Sequence, residues 1–373
     1  MFERIGRGRQ GAGGCGAHEP AAGRVKRPYT LASATLLTVL MAAGFLVGYA
    51  APAIAYLEDG HFYTSFVALT ALQDPQFDPR SRQTIAFCAQ LPDKAWELDA
   101  TYAYQLLFGD DKWNYLRWAV ATSMDRATIR RMITVQQLLH ALTGGKSEAV
   151  KKVALDTART LRDVARASHD DCDLCAYGFA IHLLGDAFAH RDLRDETVMY
   201  PTGVGHGPDL TLPDRPLYNA RREQLWEQWL ETAACLADGD NCNWQMPSEL
   251  SLPAISKKTG GSWSCFLTGC HEDDLRQLLV DELGRVGVPK DTLWRPESEK
   301  EDPKRKCDDF IHEMAKTGAL PKDTTIDCQT AWPRFRDVAS RKFIDTKDSR
   351  SRDFDGFKDY FIGDITDRKV GGP

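Results

Sequence analysis

Ala176–Asp192 reads AYGFAIHLLGDAFAHRD, an apolar run broken by His182, Asp186 and His190 at i, i+4 and i+8. At about 100° per residue the three side chains fall within an arc of roughly 80°, and a rise of about 1.5 Å per residue sets the two histidines about 12 Å apart along the axis. Each histidine can therefore share an ion with Asp186, but hardly with the other. Ile181, Leu183, Leu184, Ala187, Phe188 and Ala189 make nearly every direction around this helix apolar, so it is expected to be buried. Burying two imidazoles and a carboxylate is costly unless each is paired, and a divalent cation is the strongest available partner. Two readings follow from this stretch alone. One is a metal site. The other is a metal-free His-Asp-His network, since i, i+4 polar pairs also arise as simple helix pairs.

Working outward, further histidines and carboxylates stand in or beside apolar context. Upstream, YLEDGHFYTSFVALTAL predicts a helix of about four turns with Asp59 as N-cap and His61 in its first turn. A second helix over 81–90 ends at Leu91-Pro92, where proline stops it and Asp93 presents a carboxylate. A third, over 127–142, closes on LLHALTGG, with His140 in its last turn and Gly144-Gly145 as the cap. Residues 147–167 read as a long amphipathic scaffold helix, and His169-Asp170-Asp171 after it as a solvated loop. Downstream, glycines around His206 allow turns that bring its ring, with Asp209 nearby, back towards His190. The aromatic-rich segment 95–125 reads as helix packing.

Beyond residue 214, helices are expected over 215–238, 272–286, 308–316 and 332–342, with a stapled excursion at 241–270 that reads as a lid and a polar tail from Lys347. No run has convincing strand periodicity, so the fold class is mostly α. The division read from sequence is a leader over 1–55, a helical metal-binding core over 56–214 and a helical C-terminal region over 215–373.

The leader is basic up to Arg27, then apolar from Leu31, and closes on Ala53-Ile54-Ala55, a small-x-small cleavage pattern. It reads first as a signal peptide and second as an uncleaved anchor spanning a bilayer with residues 31–51, which would hold the protein on the membrane. Either way the bulk of the chain is exported, to the periplasm or beyond. Residues 1–55 carry six of the chain's 47 Lys/Arg and two of its 53 Asp/Glu, so 41 basic and 51 acidic side chains remain, a net charge of −10. Such a surface argues against gripping long nucleic acid but not against cutting small phosphodiesters.

Cysteine usage points the same way. Nine of the ten cysteines lie beyond the leader, and eight fall into near-neighbour pairs: Cys172 with Cys175, Cys235 with Cys242, Cys265 with Cys270, and Cys307 with Cys328. Cys88 is left over and reads as a buried thiol. The single CxxC at Cys172 is alternatively a zinc or redox site.

Taken as a set, His61, Asp93, His140, His182-x3-Asp186-x3-His190, His206 and Asp209 use five of the eight histidines beyond residue 55. In this order they resemble the bacterial zinc-dependent phospholipases C and the related single-strand zinc nucleases, helical proteins with a three-zinc cluster. The resemblance covers 56–214. It implies a zinc held by Asp93, His140, His182 and Asp186, with Asp186 bridging to a second zinc on His61 and the amino group of Tyr56. His190, His206 and Asp209 would take a third. It further implies an exported hydrolase of small phosphodiesters or phospholipids with a zinc-activated water, in which Asp93 orients that water or accepts its proton. The sequence departs from the family in having three rather than five residues between Asp186 and His190, in the long interval from Asp93 to His140, and in a displaced last carboxylate. Two other classes stay open at this point: a nuclease, and a non-catalytic metal-stabilised envelope protein.

Overall fold

The structure is a computed structural model that describes residues 58–71, 76–95, 97–100, 134–192, 195–200, 220–237, 279–285, 306–318 and 320–345, with single positions at 242, 244, 246 and 287. Every described residue belongs to one compact unit. The leader, Tyr56, His206, Asp209, the run 101–125, the Cys265/Cys270 pair and the polar tail all lie outside the described residues, as does most of 241–270.

The expectation of a mostly helical fold holds. In chain order the elements are α1 (Glu58–Ala71), α2 (Pro79–Lys94), α3 (Ser147–Ser168), α4 (Asp171–Ala189), β1 (Arg191–Asp192), β2 (Asp195–Met199), α5 (Ala220–Ala237), α6 (Cys307–Thr317) and α7 (Cys328–Asp345). Helix α4 contains the quoted stretch and is the axis of the fold, with all but one of its residues buried. Asp170 is its N-cap, accepting from the backbone N–H groups of Cys172 and Asp173.

Helix α2 crosses α4 closely because Gly178 has no side chain. A Cβ there would stand 2.5 Å from the Ile85 carbonyl oxygen and 2.6 Å from the Cys88 Cβ. One turn before Gly178 the same face carries Cys175, which is disulfide-bonded to Cys88. One turn after it comes His182, whose Nδ1 lies 2.8 Å from the Ala89 carbonyl oxygen. Cys175, Gly178 and His182 thus form one stripe at helical spacing, facing one turn of α2.

Around this pair the other helices are pinned by specific contacts. Trp226 of α5 donates through Nε1 to Thr64 Oγ1 of α1 at 3.1 Å. From α3, Arg162 and Arg166 donate to the Leu236 and Ala237 carbonyls at 2.7 Å each, satisfying acceptors that the end of α5 leaves open. Phe335 of α7 meets Phe179 of α4 edge-on at 6.0 Å, and Arg334 donates to Asp170 and Asp173 at the start of α4. Helix α6 stacks Phe310 on Phe87 of α2 at 5.7 Å and is tied to α7 by the Cys307–Cys328 disulfide.

Several expectations need correction. The Cys172–Cys175 pairing does not form: Cys175 takes Cys88, which is buried but bonded, and Cys172 is the free buried thiol. The reason is geometric. Helix α4 turns Cys175 onto α2, where Cys88 stands with its Cα 5.0 Å away, a separation that suits a disulfide. The Cys235–Cys242 and Cys307–Cys328 pairs form as expected.

Pro92 does not stop α2, which runs on to Lys94 and carries Asp93 in its last turn. A proline so near a C-terminus removes one backbone hydrogen bond, and Ala95 N–H still closes on the Leu91 carbonyl. Asp59 lies inside α1 rather than capping it. The helix before His140 ends at residue 138, ahead of the glycines, and the turn that follows has two left-handed residues, Ala141 at φ 54° and Gly144 at φ 69°. Asp171 is buried rather than solvated.

Finally, a small antiparallel ribbon, β1 with β2, follows α4 where no strand was expected. β1 has only two residues, and β2, DETVM, does not alternate polar with apolar residues. The ribbon's role is local: Met199 N–H donates to the Gly145 carbonyl and Tyr200 N–H to the His190 carbonyl, which fastens the loop after His140 to the end of α4.

Candidate metal centre

Five of the predicted ligands converge. His61 comes from the first turn of α1, Asp93 from the last turn of α2, His140 from the unwound end of the preceding helix, and His182 and Asp186 from α4. All five are at most 3% exposed. His190, also buried, stands just beyond α4 as its C-cap.

Asp186 is the hub. Its Oδ2 lies 3.0 Å from His140 Nδ1 and 3.1 Å from His182 Nε2, while its Oδ1 lies 3.2 Å from His61 Nε2. Asp93 sits opposite and slightly farther out. Its Oδ1 is 3.9 Å from both His140 Nδ1 and His182 Nε2, and its Oδ2 is 3.7 Å from His61 Nε2.

The outer nitrogens decide what the inner ones offer. His182 Nδ1 faces the Ala89 carbonyl and His140 Nε2 faces the Leu98 carbonyl, each at 2.8 Å. A carbonyl only accepts, so each outer nitrogen carries its hydrogen and donates. In the neutral rings, His182 Nε2 and His140 Nδ1 therefore present lone pairs inward, 3.2 Å from one another and against a carboxylate oxygen. Three acceptors at mutual distances of 3.0, 3.1 and 3.2 Å repel unless a cation sits among them. One proton relieves one of these contacts; a metal ion relieves all three. The three edges also approach the roughly 3.3 Å separation of donors around a tetrahedral ion with bonds near 2.0 Å. Histidines that donate outward to carbonyls while turning the second nitrogen inward are the usual support of metal ligands.

Protonation agrees. Burial, with the neighbouring His61 ring, pushes His182 down to about 3 against the pull of Asp186. Burial opposes ionisation of Asp186, but the imidazoles around it, the His182 and His190 rings first among them, hold it well below the usual carboxylate range. A neutral imidazole and an ionised carboxylate are the forms that bind a metal. Buried His/Asp groups thus exist that can hold an ion: His61, Asp93 and His182 form one set, and His140, His182 and Asp186 another.

His190 is placed differently. Its Nδ1 donates to the His140 carbonyl and lies 3.8 Å from Asp186 Oδ2, so through this nitrogen it braces the His140 backbone. The other residues expected at a third ion, His206 and Asp209, lie outside the described residues, as does Tyr56.

Sequence reading missed two contributors. Trp229 of α5 packs its ring 5.1 Å from that of His61, which stacks on His182 at 4.0 Å. Gly185 makes room for both, because a Cβ there would stand 2.8 Å from the Trp229 ring and 3.0 Å from His61 Cε1. Helical spacing put Gly185 one residue from Asp186, but nothing in the residue types linked Trp229 to His61.

The chain matches no protein-family model, no curated protein and no solved structure.

Proposed function

We propose that this protein is an exported metal-dependent hydrolase that cleaves phosphodiester bonds, with zinc as its ion and a small phosphodiester or phospholipid as its substrate. The observation that carries the reading is the convergence of His61, Asp93, His140, His182 and Asp186, with His182 neutral and Asp186 ionised. Nitrogen and oxygen donors in this mixture suit zinc, whereas magnesium and calcium favour oxygen alone. When bound, such an ion supplies an acidified water and neutralises charge developing on phosphoryl oxygens.

The chain's own residues have separable tasks. His140 and His182, fixed by the Leu98 and Ala89 carbonyls, hold their lone pairs on the site without rearrangement. Trp229 and the gap at Gly185 set the orientation of His61. Asp93 stands farthest from the nitrogens and is the least buried of the five, which suits it to orient a water. Three disulfides among the described residues fit an exported protein. A signal peptide ahead of Tyr56 is the proposed route. No described helix is long and apolar enough to cross a membrane. The net negative charge favours small substrates over long nucleic acid.

The test is hydrolysis of a generic phosphodiester by the purified chain lacking residues 1–55, with and without chelator. Activity lost to chelator and restored by zinc is expected. No chelator-sensitive activity on lipid, nucleotide or ester panels overturns the reading. One observation favours a second reading, a non-catalytic metal-stabilised protein: every one of the five ligands is buried to within 3%. Bound metal with no turnover on those panels selects it.

A further inference from the structure

We propose that Asp93, as well as Asp186, bridges two ions, so that the centre is a doubly carboxylate-bridged pair rather than one ion with a loosely attached neighbour. The inference rests on the metal-site reading above, but not on hydrolysis.

The two oxygens of each carboxylate look at different imidazoles. Oδ2 of Asp186 faces His140 and His182, and Oδ1 faces His61. Asp93 repeats the pattern from the opposite side, with Oδ1 towards His140 and His182 and Oδ2 towards His61. The two carboxylates thus divide the same nitrogens in the same way, and each division marks two half-sites. His182 belongs to the half-site of His140: its single inward nitrogen lies 3.2 Å from His140 Nδ1 and 3.1 Å from Asp186 Oδ2. Since its other nitrogen is held by the Ala89 carbonyl, it has no second lone pair for the His61 side.

The first half-site therefore has two imidazoles and one oxygen from each carboxylate, four protein donors and a closed set. The second has His61 and the two remaining oxygens, three donors among the described residues. Each half-site is filled through the same two carboxylates. Loss of Asp93 is then felt by both ions, whereas loss of His61 is felt by one. Asp93 distances of 3.7–3.9 Å, longer than those of Asp186, make it the weaker bridge.

The experiment is competitive zinc titration of the chain lacking residues 1–55 against a chromophoric chelator, read as two binding steps, with folding checked by circular dichroism. Wild type is expected to take up two ions through these residues. Asp93→Asn weakens both steps by tenfold or more, and His61→Ala weakens only the looser one. An Asp93→Asn protein in which one step keeps its wild-type affinity overturns the double bridge. So does a wild type that binds a single ion. Should Asp93→Asn fail to fold, Asp93→Glu takes its place with the same two outcomes, and cobalt in the wild-type chain gives a reading without substitution. Two cobalt ions bridged this closely couple magnetically and lose paramagnetic resonance intensity at the second equivalent; additive intensity overturns the pair. Phosphodiester hydrolysis is assayed separately, so a paired centre without turnover refutes the proposed function and leaves this inference standing.

Discussion

Helix α4 buries a carboxylate at each end, and the two are treated differently. Asp171, in the first turn, meets a full positive charge: Arg80 donates to it from Nη1 at 2.8 Å and Nη2 at 3.1 Å, and Thr325 adds its backbone N–H at 2.7 Å and its hydroxyl at 3.0 Å. The helix dipole favours a negative charge there as well. Asp186 lies in the last turn, where the same dipole disfavours it, and the side chains around its oxygens are imidazoles. One anion has its cation built into the chain; the other is arranged as if the cation arrives from outside. A buried charge without compensation costs several kcal/mol, so the difference separates a structural pair from a cluster that could hold an ion.

The largest expected effect breaks this contrast at its hub. Asp186→Asn is expected to lower zinc affinity by more than about 100-fold, beyond the loss from removing an outer hydrogen-bond partner, while the fold persists by circular dichroism. Asp171→Asn is expected to do the reverse, lowering stability and leaving zinc affinity unchanged in the same titration.

Next comes the close crossing that supports both ends. Gly178→Ala drives a Cβ into backbone atoms of α2, which cannot rotate away, and is expected to cost about 3 kcal/mol in denaturant unfolding or to prevent folding. Replacing Cys88 and Cys175 together by serine is expected to cost about 3 kcal/mol, whereas Cys172→Ala costs about 1 kcal/mol. A large loss from Cys172→Ala with none from Cys88→Ala would reinstate the CxxC pairing.

Smallest is a pH effect. The Asp171 carboxyl is held below its ordinary value: burial opposes ionisation, but Arg80 and Thr325 outweigh it. A depressed folded-state pKa contributes stability that is present above about pH 4 and lost as pH falls through the folded value. Unfolding midpoints of wild type should therefore fall more steeply below about pH 4 than those of Asp171→Asn, measured by thermal melts across that range.

Much of the centre was legible because its residues break a pattern. His182 and Asp186 are polar exceptions on an apolar helix, and His61, Asp93 and His140 sit beside apolar runs. What stayed hidden acts through atoms that every residue has or through distance along the chain. Ala89 and Leu98 contribute carbonyl oxygens, which no residue type advertises. Trp229 reads as an ordinary core aromatic, and only the fold sets it on His61. Asp171 reads as a loop residue because its partner, Arg80, lies 91 positions earlier. The disulfide was misread for a related reason: proximity in sequence favoured Cys172–Cys175, while helix geometry turns Cys175 onto α2. At the level of folds the helices were plain from periodicity, and the two-residue β1 was too short to have any.

The central claim, that the buried His/Asp cluster is a metal centre, is tested most directly by elemental analysis of protein purified without chelator. The account predicts bound zinc in the wild type and its loss in Asp186→Asn protein that is still folded. Folded wild-type protein that contains no metal and takes up none on addition of zinc would contradict it.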